Sequence, residues 1–121
     1  MKRDYKLFIK DILDAINSIE SFAGDMEYDE FFGDDKTRSA VVWQIQIIGE
    51  ATKNIPLKIK TLYKELPWKD MAAMRDKISH FYFGVDYKIV WKVIKKDLPL
   101  LKPLVERIVR ELDQEKTTKN E

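Results

Sequence analysis

An all-α, up-and-down bundle of four main helices plus a short one is the architecture this sequence predicts, on three observations. Apolar residues recur at three- and four-residue steps through most of the chain. Only four glycines and four prolines punctuate 121 residues, too few for a loop-rich or all-β fold. No stretch alternates apolar and polar residues convincingly enough for a strand. The length suits one domain with a real hydrophobic core, residues 1–112, followed by a polar tail over 113–121.

The first helix is expected from about Asp4 to Ala23. Tyr5, Phe8, Ile9, Ile12, Leu13, Ile16, Ile19 and Phe22 form its apolar stripe, and Gly24 stands at its C-terminal cap. Six carboxylates follow between Asp25 and Asp35. They do not make a calcium loop, because Glu30 stands where the turn glycine belongs and Lys36 where the bidentate glutamate belongs. A short amphipathic turn is expected instead, with Asp34 or Asp35 capping the next helix.

That helix is expected from about Lys36 to Asn54. Val41, Val42, Trp43, Ile45, Ile47, Ile48 and Ala51 cover more than one of its faces. A helix apolar on two sides lies at the centre of its bundle or packs on a second protomer as well. Gly49 in its interior costs roughly 1 kcal/mol relative to alanine, and close approach of another helix is one reason to keep it. Pro56 ends the helix. The basic connector Leu57 to Lys64 has room for one or two helical turns.

Pro67 suits the first position of a third main helix, with Asp70 in its first turn. This helix is expected to carry Trp68, Met71, Ala72 and Ile78 and to stop at Gly84. Met71 and Met74 read as core filling. Asp86 caps the next helix, with Ile89, Val90, Val93 and Ile94 apolar. Leu98-Pro99 breaks or kinks it, and a last helix runs from about Leu100 to Leu112 before a frayed tail.

Composition removes several classes of function. The chain has no cysteine, which excludes disulfides, thiolate catalysis and zinc–cysteine sites. With a single histidine, one chain could build only a carboxylate-based metal site, and neither a metal nor a cofactor is expected. The formal net charge is +1, so nucleic acid would have to be met by a local basic patch rather than a global field. Lys58, Lys60, Lys64, Lys69 and Lys77 are candidates for such a track. No apolar run approaches the ~20 residues of a membrane span, and Met1-Lys2-Arg3 opens no signal peptide. A soluble, cytoplasmic protein is the expectation.

The densest chemistry lies in Arg75-Asp76-Lys77-Ile78-Ser79-His80-Phe81-Tyr82. Histidine alone both donates and accepts protons near neutrality, so any acid–base catalysis by histidine must use His80. Arg75 offers planar donors for phosphate oxygens, and Tyr82 can stack a base or donate a hydrogen bond. On one continuous helix, however, residues five apart diverge by about 140° and rise by about 7.5 Å. Either the helix unwinds before Gly84 and swings His80 round, or a second copy supplies the partner groups. Metal-free RNA cleavage asks for two proton-transfer groups and a cation, which a two-fold dimer of this chain would assemble.

Ile48-Gly49-Glu50-Ala51, Pro67-Trp68, the run Arg75 to Tyr82, Phe83-Gly84-Val85-Asp86, Ile89-Val90-Trp91 and Asp97-Leu98-Pro99 together resemble the HepT-like toxins of the HEPN-domain family. The resemblance covers about Val42 to Leu104, and its specific part is arginine, four residues, histidine, one residue, tyrosine. Asp76 departs from the asparagine common after the arginine. The resemblance implies a HEPN-like homodimer whose paired Arg75 and His80 form a metal-independent endoribonuclease site at the interface, with Asp76, Ser79 and Glu50 in supporting places. It implies the toxin of a type VII toxin–antitoxin pair, neutralised when an MntA-like minimal nucleotidyltransferase transfers AMP onto Tyr82. The alternative is a non-catalytic HEPN module that binds a nucleotidyltransferase or a nucleotide.

Overall fold

A computed structural model describes residues 3–80 and 84–120, with the backbone alone at 79, 80 and 115–120. Helix α1 (Tyr5–Ala23) begins where the Asp4 carboxylate accepts the Lys6 N–H and ends at the predicted Gly24. Its stripe of Ile9, Ile12, Ile16 and Ile19 is buried. The acidic stretch becomes the short helix α2 (Tyr28–Gly33). Two of its carboxylates serve the backbone: Glu27 and Glu30 form a reciprocal capping box, with the Glu27 N–H donating to Glu30 Oε1 at 3.2 Å. Asp34 rather than Asp35 caps α3 (Asp35–Lys53), accepting the Thr37 N–H at 3.1 Å and its hydroxyl at 2.7 Å.

Helices α1 and α3 pack along each other, and α1 also packs on the C-terminal helix. Between them lie Val41, Ile45, Ile48, Ile12 and Ile108, all essentially inaccessible. Thr52, the buried polar residue of α3, satisfies its hydroxyl by donating to the Ile48 carbonyl at 2.7 Å. The predicted connector forms α4 (Leu57–Leu62), one and a half turns that bury Ile59. Trp68 is buried after it, its indole N–H donating to the Tyr63 carbonyl at 2.8 Å.

The third main helix is where prediction and structure part. The span expected as one helix from Pro67 to Gly84 is instead α5 (Trp68–Ala72), a turn at Ala73, α6 (Met74–Ile78) and a strand β1 (Ser79–His80). Strand β1 pairs antiparallel with β2 (Gly84–Val85), Ser79 opposite Val85 and His80 opposite Gly84. The Asp86 N–H closes the base of this ladder on the Ile78 carbonyl at 2.7 Å. Nothing in Ala72-Ala73 breaks a helix locally, since alanine is the best helix former. At the break, the end of α5 lies over Gly49 of α3. The approach is real but not extreme. A β-carbon on Gly49 would meet the Ala72 and Met71 carbonyl oxygens at 3.6 and 3.7 Å, ordinary contact distances.

Beyond the ladder, Asp86 caps α7 (Tyr87–Lys92) by accepting the Lys88 N–H at 3.0 Å. The predicted break at Leu98-Pro99 is realised as a π-helical turn over Val93–Asp97. Its last bond runs from the Leu98 N–H to the Val93 carbonyl, five residues back. Pro99 has no N–H to continue an α ladder, and a wider turn just before it absorbs the mismatch. Helix α8 (Leu98–Asn120) then runs through the span expected to fray. An aromatic cluster of Phe31, Tyr87 and Trp91 ties α2 to α7, and the Arg38 guanidinium lies 4.9 Å over the Tyr87 ring.

The Thr37 hydroxyl, then its N–H and Lys36, hold the Asp34 carboxyl below its ordinary range. A depressed folded-state value means that this cap stabilises above the unfolded carboxylate range and fades as pH falls through the folded value. Asp34→Ala is expected to lower the melting temperature at neutral pH. Melting curves taken down to acid should show that deficit shrinking.

Candidate functional site

Three elements converge on Arg75. Helix α6 carries it between the buried Met74 and Ile78, whose anchoring fixes the helix and leaves Arg75, Asp76 and Lys77 exposed. Helix α3 supplies the facing wall, because Trp43, Gln46, Ile47 and Glu50 stand at i, i+3, i+4 and i+7 on one side of it. These four residues and Arg75 line a cleft of about 210 Å³. Strand β1 starts one residue beyond Ile78 and carries the backbone of Ser79 and His80 away from the helix axis.

The two remedies for the Arg75–His80 spacing were helix unwinding and a second copy, and unwinding takes place. Helix α6 stops at Ile78, two residues before the histidine and six before the predicted Gly84 stop. The about 140° divergence of a continuous helix therefore does not apply to this pair. Gly84 is the conformational reason that the ladder can close. It is the one residue among those described with a positive φ, at 80°, a region costly to side-chain-bearing residues. A β-carbon there would touch nothing within 4 Å, so the requirement is backbone conformation, not space.

Among the predicted site residues, the structure brings Arg75 and Glu50 together across the cleft. Asp76 is exposed on α6, next to Arg75 in sequence. Ser79 and His80 are placed by their backbone in β1. The AMP acceptor proposed from sequence, Tyr82, lies outside the described residues. Neither Arg75 nor Glu50 is engaged in an ion pair among the described residues, and the Arg75 guanidinium offers planar donors suited to an anion. The residues that sequence reasoning did not assign to the site are Trp43, Gln46 and Ile47. Their signal was the second apolar side of α3.

The basic side chains divide. Lys60, Lys64 and Lys69 line one open groove with Leu57, Trp68 and Asp70, whereas Lys77 faces a different, apolar cleft between α6 and α8. Of the five candidate lysines, three thus share a groove on the α4–α5 side, and Lys58 is exposed on α4. No group of histidine and carboxylate residues suited to a metal ion occurs among the described residues. No helix among them is long and apolar enough to cross a membrane.

Comparison with known proteins points the same way. A family model described as "Ribonuclease HepT-like" matches residues 12–108. A Thermococcus cleftensis protein named "Probable ribonuclease HepT" is 47% identical over 108 residues, covering 89% of this chain and 98% of that one. A Methanocaldococcus jannaschii protein named "Putative RNase MJ0125" is 42% identical over 113 residues, 93% of this chain and 97% of its own. A second protein from that organism, named "Gamma-glutamylcyclotransferase and putative RNase MJ0434", is 42% identical over 119 residues, and this chain spans 54% of its length. No solved structure matches.

Replacing Gly84 tests the backbone argument directly. Gly84→Ala is expected to cost about 1–2 kcal/mol, the price of a side chain in the left-handed region. Amide exchange should quicken at Asp86, whose N–H closes the ladder, while the α1 and α3 core stays protected.

Proposed function

The chain belongs to the HepT-like ribonuclease family, and from that footing we propose that it is an RNA endonuclease acting without a metal at a site shared by two copies. One observation carries the reading. Helix α6 ends between Arg75 and His80, so an exposed arginine that lines a cleft with α3 and the chain's lone histidine belong to separate elements.

The chemistry follows from what RNA carries. A neutral His80 imidazole takes the proton of a ribose 2′-hydroxyl, and that oxygen attacks the adjacent phosphorus. The bond to the 5′-oxygen breaks as an imidazolium gives that oxygen a proton, leaving a 2′,3′-cyclic phosphate and a free 5′-hydroxyl. The two proton transfers use two imidazoles, hence two copies of the chain. Arg75 places its fork on the non-bridging oxygens, where negative charge accumulates in the pentavalent transition state. Glu50 lines the same cleft as Arg75. Lys60, Lys64 and Lys69 offer phosphate contacts farther along the strand.

In this reading the protein is the cytoplasmic toxin of a toxin–antitoxin pair, and its antidote is a minimal nucleotidyltransferase. The Tyr82 phenol oxygen, losing its proton to the transferase, attacks the α-phosphorus of ATP and pyrophosphate leaves. The AMP thus attached sets a negative charge and a purine seven residues from Arg75, in competition with the RNA phosphate. The family membership and the tyrosine two residues past His80 support this.

Two variants separate catalysis from neutralisation. His80→Ala is expected to lose RNA cleavage by at least about 100-fold, the range for a general acid or base, with unchanged helical circular dichroism. Tyr82→Phe keeps the ring, so cleavage should persist while AMP no longer appears on the peptide in mass spectra. Full activity of His80→Ala would refute the acid–base assignment.

A further inference from the structure

We propose that the cleft between α6 and the start of α8 is a base-reading site, which takes one guanine of the RNA substrate away from the scissile phosphate. The inference rests on the ribonuclease reading above and names a base that the preferred substrate carries.

The cleft suits a flat apolar group with a polar edge. Met71 of α5, Met74 of α6, Val93 of the π turn and Leu101 and Leu104 of α8 line a space of about 180 Å³. That is smaller than the roughly 300–1,000 Å³ of drug-sized sites, so it fits one ring system rather than a whole nucleotide. Thioether sulfurs contact aromatic rings favourably, and two methionines stand in this lining. Two charged side chains of opposite sign share the cleft. Asp97 ends the π turn and is half-buried, and Lys77 reaches the same space from α6. Neither forms an ion pair among the described residues. A half-buried carboxylate without such a partner calls for a donor.

Guanine answers both charges. Its N1–H and 2-amino group are adjacent donors for a carboxylate, and its O6 and N7 accept from an ammonium. Of the four RNA bases only guanine sets two adjacent donors beside an acceptor. A lone apolar side chain would fill the cleft but leave Asp97 and Lys77 unmet. The neighbouring groove takes the backbone. Lys60, Lys64 and Lys69 line it, and Pro67 and Asp70 belong to both the groove and the cleft. A strand held by its phosphates on these lysines therefore places a base at the mouth of the cleft. The Asp70 carboxylate at the junction repels a phosphate from the cleft itself, which leaves the base to enter. On α6, Arg75 and Lys77 are two residues apart and so diverge by about 200°. The guanine read here is thus a neighbour of the scissile phosphate in the strand, not the nucleotide being cut.

The test is cleavage by the full chain of uridine-rich oligoribonucleotides that carry one guanosine, walked through each position. The wild type is expected to gain about tenfold in kcat/KM when guanosine stands at one fixed offset from the broken bond. Inosine, which lacks the 2-amino donor, should forfeit most of that gain. Asp97→Asn should turn the preference towards xanthosine, whose O2 accepts where the amino group of guanosine donates. A preference gained in this way cannot come from misfolding. Cleavage indifferent to the guanosine position would overturn the site while the ribonuclease reading stands. No cleavage of these RNAs or of cellular RNA would overturn both. Saturable GMP binding lost in Asp97→Asn, beside indifferent cleavage, would overturn the RNA assignment in favour of a free nucleotide. An Asp97→Asn protein that keeps the wild-type guanosine preference would overturn the base site and leave the cleft to a protein side chain.

Discussion

The hydrogen bond from the Asp86 N–H to the Ile78 carbonyl is the contact on which the rest of the site depends. It ends α6, starts the ladder of Ser79–His80 with Gly84–Val85 and delivers the chain to α7. The same residue turns its carboxylate to the first amides of α7, so one aspartate holds both ends of the connection. Ile78 is sealed in the core beneath it. A carbonyl left open at a buried helix end would carry the full cost of an unmade bond, and here the hairpin satisfies it.

That arrangement puts Arg75 and His80 on different elements, so the separation of a continuous helix does not apply to them. The rigid part of the site is α6 against α3, pinned by Met74 and Ile78. Beyond it the short ladder closes at Gly84, whose φ is 80°. Helix α3 links the two halves of the protein's business: its inner side makes the core with α1, and its outer side walls the cleft beside Arg75. The aromatic cluster with Arg38 holds α7 against α2 and the start of α3, which fixes where the ladder exits.

Much of this was legible in the residues. The isoleucine stripe of α1, a cap at Asp34 or Asp35, the Pro56 stop and the Asp86 cap are local signals; Asp34 takes the first cap and the others were met. The double-sided pattern of α3 left open a central place in the bundle or a second packing surface, and in the fold its Trp43 side stays exposed. The end of α6 was not legible as such, because Met74 to Ile78 reads as helix and the stop is imposed by a hydrogen bond from Asp86. The π turn was foreseen only as a disturbance at Pro99. The α5–α6 break at Ala73 had no local signal, because Ala72-Ala73 favours a continuing helix.

The account's central claim is that two imidazoles act on one phosphate. Wild-type chains refolded with increasing proportions of His80→Ala chains test this most directly, with RNA cleavage measured at constant total protein. If both histidines of a pair are needed, activity falls as the square of the wild-type fraction, because mixed dimers are dead. A strictly linear fall would show that each copy cuts RNA with its own histidine, and the shared site would be wrong.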